Sequence, residues 1–134
     1  MMTAMRANQY LNTQVRSSTP LELVVLLYDA ALRHAVTARD AMARRDIPSR
    51  RTAMSKLMAV VGELQHTLDM DRGGDIARQL DELYSWALTQ LLDATVHQDP
   101  QRIEEVHRVL TILRDGWASI AANAASPMAV GARP

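Results

Sequence analysis

Apolar residues recur every three or four positions through four successive stretches of the chain. In the first, Val24, Leu27, Tyr28, Ala31, Ala35, Ala38 and Met42 fall on one side of a helix; in the second, Leu57, Val60, Val61, Leu64 and Leu68 do so. Ile76, Leu80, Leu83, Ala87, Leu91 and Ala94 form the third stripe, and Ile103, Val106, Leu110, Leu113, Trp117 and Ile120 the fourth. Between the stripes stand Pro20, Pro48, Gly73-Gly74 and Pro100, residues that interrupt helices. Period-two alternation with clustered β-branched residues is missing, so no strand is expected. The spacing predicts helices over about 20–44, 48–70, 75–97 and 100–123.

Local chemistry fixes where these helices begin. Thr19-Pro20-Leu21-Glu22 is a capping box with proline in the first turn. Asp99-Pro100 repeats the device, with Glu104 and Glu105 near the positive end of the helix dipole. Gly73-Gly74 is expected to end the second helix, and Gly74 or Asp75 to cap the third. Short joints make sequential neighbours antiparallel, so the pattern predicts an all-α, up-down-up-down four-helix bundle spanning 19–123. Residues 1–18 are expected to form a polar N-terminal arm or short helix, and residues 124–134 a flexible tail.

More apolar surface is present than four stripes use. Leu21, Val25, Leu32 and Val36 form a second row on the first helix. Met54 and Met58 flank the second stripe, and Ala77, Tyr84, Leu88 and Leu92 flank the third. One such row is an ordinary wide bundle face. Side rows on three helices point to a surface for another protein's apolar helix, for which methionines are adaptable lining.

Composition narrows the chemistry. The chain has 134 residues, enough for one domain with a substantial core. Its 15 Lys plus Arg balance 15 Asp plus Glu, which argues against charge-driven binding to nucleic acid or an anionic membrane. Absence of cysteine removes disulfides and thiolate sites and is compatible with a reducing cytoplasm. The opening residues lack a secretory signal pattern, and no run is long enough to insert in a membrane. Arg44-Arg45 and Arg50-Arg51 surround the first joint without interleaved aromatics, so base stacking is not expected.

Two pairs, Glu63/His66 and Glu104/His107, carry the Glu-x-x-His spacing of di-metal bundles, with Glu22 and Glu82 as further nominees. His66 and Glu104 point away from their own stripes, and the two pairs lie about 16 Å apart along the bundle. No metal or other cofactor is therefore expected. His66-Thr67-Leu68-Asp69-Met70 resembles the phosphoacceptor sequence His-Thr-Leu-Lys-Gly of histidine phosphotransfer domains. Asp69 stands where that family places lysine and would repel phosphoryl oxygens. Phosphotransfer through His66 is thus an alternative function, as is a generic helical adaptor.

A different resemblance covers most of the chain. Tyr10, Thr13-Gln14-Val15, Ser18-Thr19-Pro20-Leu21-Glu22-Leu23 and Leu26-Leu27-Tyr28-Asp29 resemble the opening of the FliS family of flagellar export chaperones. Leu68-Asp69-Met70, Gly73-Gly74-Asp75-Ile76-Ala77, Leu80 and Leu83-Tyr84 resemble its central signature; Asp99-Pro100, Ile103-Glu104-Glu105-Val106 and Arg114 to Trp117 resemble its closing helix. Ala30 replaces the family's usual glycine, and Ser85-Trp86 its more typical Asp-Tyr.

The resemblance implies a cytoplasmic, non-enzymatic chaperone that binds the C-terminal segment of flagellin. It would prevent premature polymerisation and support delivery to a component of the flagellar type III export apparatus. It also implies that the arm covers an apolar groove until the client displaces it, through Tyr10, Leu11 and Val15, with Gln14 beside them. Leu21, Val25, Leu32, Met54, Met58, Tyr84 and Leu88 are the expected groove lining. A bundle with uncovered rows can also form a homodimer when free of client.

Overall fold

The computed structural model describes residues 19–125. Residues 1–18 and 126–134, and with them the expected arm contacts of Tyr10, Leu11, Gln14 and Val15, lie outside the described residues. Four helices account for the rest: α1 Pro20–Ala43, α2 Ile47–His66, α3 Met70–His97 and α4 Pro100–Ala125. No strand occurs among the described residues.

The caps act as the sequence suggests at α1 and α4. Thr19 Oγ1 accepts from the Glu22 backbone N–H at 3.2 Å, and Asp99 Oδ1 accepts from that of Gln101 at 3.0 Å. The second joint differs from expectation. α2 stops at His66, and α3 starts before the glycine pair, because Asp69 Oδ1 accepts from the Asp71 and Arg72 N–H groups at 3.2 and 3.0 Å. Gly73 and Gly74 therefore lie inside α3 rather than between helices. Gly74 has φ 54° and ψ −130°, and it separates a single opening turn from the main body of α3.

That backbone region is open almost only to glycine. A Cβ at Gly74 would meet nothing within 4 Å, so a substitution there would cost backbone energy alone. Gly74→Ala is expected to destabilise the protein by about 1–3 kcal/mol, read as a lower melting temperature by circular dichroism.

The helices pack in the cyclic order α1–α2–α3–α4, with α1 diagonal to α3 and approaching α2 and α4 most closely. Its buried face explains the approach: Ala31, Ala35, Ala38 and Ala41 are at most 1% exposed and hold neighbouring backbones near. Larger side chains on the other helices fill the interior, chiefly Leu57, Val61, Leu64, Leu91, Ile103, Val106 and Leu110. Burial of each is worth about 1.5–3 kcal/mol. Along the α1–α4 seam, Arg114 Nε donates to Asp29 Oδ1 at 2.8 Å and Arg39 Nη1 to Glu104 Oε2 at 2.5 Å. The two pairs share one antiparallel register, ten residues apart on both helices. Half-exposed ion pairs contribute little energy but specify alignment.

Two stripe residues are exposed, and a third, Leu83, is half-buried outside the core cluster. Ile76 is 69% exposed and Ile120 51%. Both lie towards the end of the bundle where α1 begins.

Candidate functional site

At the end of the bundle where α1 begins, an apolar groove of about 610 Å³ opens between α1, the α2–α3 turn and the start of α3. Leu21, Leu23, Val24 and Leu27 from the first two turns of α1 form one wall. Leu68 and the capped turn at Asp69–Gly73 form the other, with Trp117 of α4 closing the side. Ala77, Leu80 and Tyr84 make the floor and are nearly sealed from solvent, whereas Ile76 stands at the rim. Asp69 and Arg72, paired at 3.8 Å, are the charged groups of the lining and compensate one another. The groove therefore offers apolar burial with little net field.

The groove exists because the stripe of α1 reaches its first turn while its partner there is small. Opposite stands the segment containing Gly73 and Gly74, which brings no bulky side chain. Side chains that would be core elsewhere in the bundle are left half-covered.

Beneath the floor, Tyr84 reaches across the bundle diagonal to Tyr28 of α1. The hydroxyls are 2.5 Å apart, and the ring centroids 6.5 Å apart with planes tilted by 48°. Burial pushes both phenols above the usual tyrosine range. The bond to Tyr28 raises Tyr84 further, while Tyr84 and Trp117 partly offset the shift of Tyr28. Because the folded state keeps these protons longer than the unfolded chain, the corresponding stability is present below pH ~10 and is lost as pH rises beyond it. The double variant Tyr28→Phe/Tyr84→Phe removes both hydroxyls and leaves neither unpaired, so it should be close to neutral at pH 7. Its melting temperature is expected to fall less between pH 9 and 11 than that of the unsubstituted protein, a flattening that a pH series of thermal melts would measure.

The expected lining residues are not all gathered in this groove. Leu21 and Tyr84 belong to it. Val25 and Leu32 are half-buried on the flank of α1 that Asp29 and Arg39 direct towards α4. Met58 and Leu88 are half-buried along the α2–α3 seam and pack on the core. Met54 is corrected from lining to core, at 5% exposure, because its place in α2 turns inwards beside Leu57 and Val61. Tyr84, at 2%, contributes floor rather than accessible wall. The stripes assign Val24, Leu27, Leu68, Leu80 and Trp117 to the core and so miss them as groove residues. Their place at the end of the bundle that holds the glycine pair was the available signal.

The other candidate chemistry is dispersed. His66 is exposed at the last residue of α2, and Glu63 is exposed one turn earlier. Glu104 is engaged by Arg39, whose guanidinium holds its carboxyl below the ordinary range. Among the described residues no three His, Asp or Glu side chains converge as metal ligands. None of the described helices is long and apolar enough to cross a membrane.

A small bundle that exposes a contiguous apolar groove presents a surface of the kind that marks protein-binding sites. The model of the flagellar protein FliS matches residues 2–124, and the chain belongs to the FliS family. It is 33% identical over 121 residues to the flagellar secretion chaperone FliSB of Pseudomonas aeruginosa, covering 89% of this chain and 96% of that one. Over 111 residues it is 34% identical to the flagellar secretion chaperone FliS of Salmonella typhimurium, covering 82% of each. The fold is shared with a bacterial flagellar chaperone of known crystal structure, at a TM-score of 0.73 and 21% identity over 90% of this chain and 98% of that one. The family is one of chaperones for flagellar export.

Proposed function

We propose that the protein is a cytoplasmic chaperone that binds the C-terminal segment of flagellin, keeps it from polymerising early and supports its delivery to the flagellar type III export apparatus. The observation that carries this reading is the groove, an apolar surface shaped to cover one side of a client helix. A terminal segment that is disordered before assembly would gain order by burying its apolar positions there. No catalytic step is needed, since holding and release suffice.

The N-terminal arm is assigned as the resting cover. It joins α1 at Thr19, next to Pro20 and Leu21 on the groove wall. Tyr10, Leu11 and Val15 supply its apolar contacts, with Gln14 at their polar edge. Val25 and Leu32, lying on the α1–α4 seam, are proposed to extend the client path beyond the groove. Deletion of residues 1–15 is expected to raise ANS fluorescence of the folded protein; an unchanged signal would show that the arm covers no apolar surface.

The function is tested by titrating the full chain with a flagellin C-terminal peptide and with an N-terminal flagellin peptide as control. Saturable binding of the C-terminal peptide alone, at micromolar concentration or below, is expected, with Trp117 emission in a Trp86→Phe background as reporter. Absence of saturation in that range would remove the flagellin assignment and leave the fold and family intact.

A further inference from the structure

At the opposite end of the bundle lies a second apolar surface, with a different electrostatic character. Leu92 and Val96 of α3 are 55% and 74% exposed, and Ile47 at the start of α2 is 50% exposed. Their placement follows from two cross-helix contacts. Gln65 of α2 donates to Asp81 Oδ1 and to Ser85 Oγ, both at 2.9 Å, so the α3 row through Asp81 and Ser85 faces α2. Leu88, Leu92 and Val96 continue that row at helical spacing. Arg50 Nη1 donates to Gln98 Oε1 at 2.5 Å, which brings the start of α2 against the end of α3 and places Ile47 about one turn past Val96. The result is a narrow apolar strip along the α2–α3 seam, from half-buried Leu88 and Met58 out to Ile47, about 19 Å or some three and a half helical turns long.

Around the outer half of this strip positive charge is in excess. Asp46 is occupied as a helix cap and pairs with Arg44 at 3.9 Å, while Asp93 and Asp99 share Arg102 at 3.7 and 3.4 Å. Arg45, Arg50 and Arg51 have no carboxylate partner among the described residues. Arg45 also adopts φ 59°, a left-handed conformation that glycine or asparagine takes at lower cost. An arginine there brings charge to the joint at a backbone cost that glycine would not carry.

We propose that this seam is a second docking site, for an acidic amphipathic helix of a partner protein that binds while flagellin occupies the groove. The strip is long and narrow like one face of a helix, and unpaired arginines beside it favour glutamate or aspartate on that helix. A second copy docked through the same strip would make the chain dimeric in solution and would reassign the seam to self-association. A lipid surface calls for apolar residues spread over a plane, whereas these follow one seam. Along α3 the outer residue Val96 lies about 30 Å from Ile76 at the groove rim, and the inner end of the strip at Leu88 about 18 Å from it. Both can therefore be filled at once.

The test uses the full chain and a fluorescein-labelled designed peptide of about 16 residues, with leucine on one helical face and glutamate on the other. Its counterpart carries lysine in place of glutamate, and phosphatidylglycerol vesicles probe lipid binding. The glutamate peptide is expected to bind about tenfold or more tightly than the lysine peptide, the gap narrowing between about 50 and 300 mM salt. Leu92→Ser/Val96→Ser, at exposed positions, should weaken it about tenfold, whereas Ile76→Glu in the groove should leave it unchanged. Arg45→Gly should weaken it about threefold while the melting temperature stays level or rises, a combination that fold damage does not produce. Equal binding of the two peptides, insensitivity to Leu92→Ser/Val96→Ser, or loss on Ile76→Glu would overturn the proposal. Vesicle binding that Leu92→Ser/Val96→Ser abolishes would reassign the seam to lipid. Displacement of the glutamate peptide by the flagellin C-terminal peptide would reassign it to the client and end the case for a separate partner.

Discussion

Ile76→Glu is expected to weaken binding of the flagellin C-terminal peptide by about 10- to 100-fold while leaving thermal stability within about 0.5 kcal/mol. Ile76 is the rim residue of the groove and is 69% exposed in the free protein. Folding therefore gains little from it. A docked client helix would bury it, and withdrawing an isoleucine side chain from water is worth about 1.5–3 kcal/mol. A glutamate in its place forfeits that gain and adds the cost of a carboxylate facing an apolar partner. The position lies two residues beyond the Gly74 break, near the positive end of the main body of α3, so a negative charge does not penalise the helix. Ile112→Glu supplies a matched control. Ile112 is 66% exposed on α4, away from the groove lining. It should change neither affinity nor melting. Equal losses at both positions would mean that binding follows general surface hydrophobicity, and the groove would lose its role.

The same residue shows where reading a sequence succeeds and where it stops. Helix number, order and the caps of α1 and α4 were legible, because 3.6-residue periodicity and cap chemistry are local properties. Tyr28, Leu57, Leu91, Ile103 and Leu110 are buried as their stripes predict. Periodicity says which side of a helix is apolar but not whether anything covers it. Val25 and Leu32 fall in the α1–α4 seam, while Val24 and Leu27, on the nominal core stripe, open into the groove. The difference lies in what stands opposite, a matter of tertiary arrangement. The glycine pair was read as a joint for the same reason. Its flanks permit either a helix end or a break inside a helix, and Asp69, capping Asp71 and Arg72, decides for the latter. The pairing of Tyr28 with Tyr84 spans 56 positions, and each tyrosine's local pattern is silent about it.

Leu57→Ala is expected to destabilise the protein by about 2–5 kcal/mol, a drop of about 10 °C or more in melting temperature for a chain of this size. Leu57 is fully buried at the middle of α2. The space between α1 and α2 is bordered by His34 and Thr37 on one side and by Ala53 and Lys56 on the other, a register that sets Leu57 about level with Ala31 and Ala35. Those alanines have no further side chain to swing into a void, and they already hold α1 at close approach to both α2 and α4. Collapse around the missing atoms is therefore limited, which places the cost in the upper part of the range for such substitutions. Affinity for the flagellin peptide at low temperature should be unchanged, because Leu57 contributes no atom to the groove. The client should in turn restore what the variant has lost. Peptide at about one hundred times its dissociation constant adds about 2.7 kcal/mol to the folded state, enough to recover half or more of the deficit. Thermal melts of Leu57→Ala with and without peptide would measure that recovery. A variant that melts low and gains nothing from saturating peptide would show that the groove does not survive loosening of the α1–α2 contact, making the tight alanine seam a condition of binding as well as of stability.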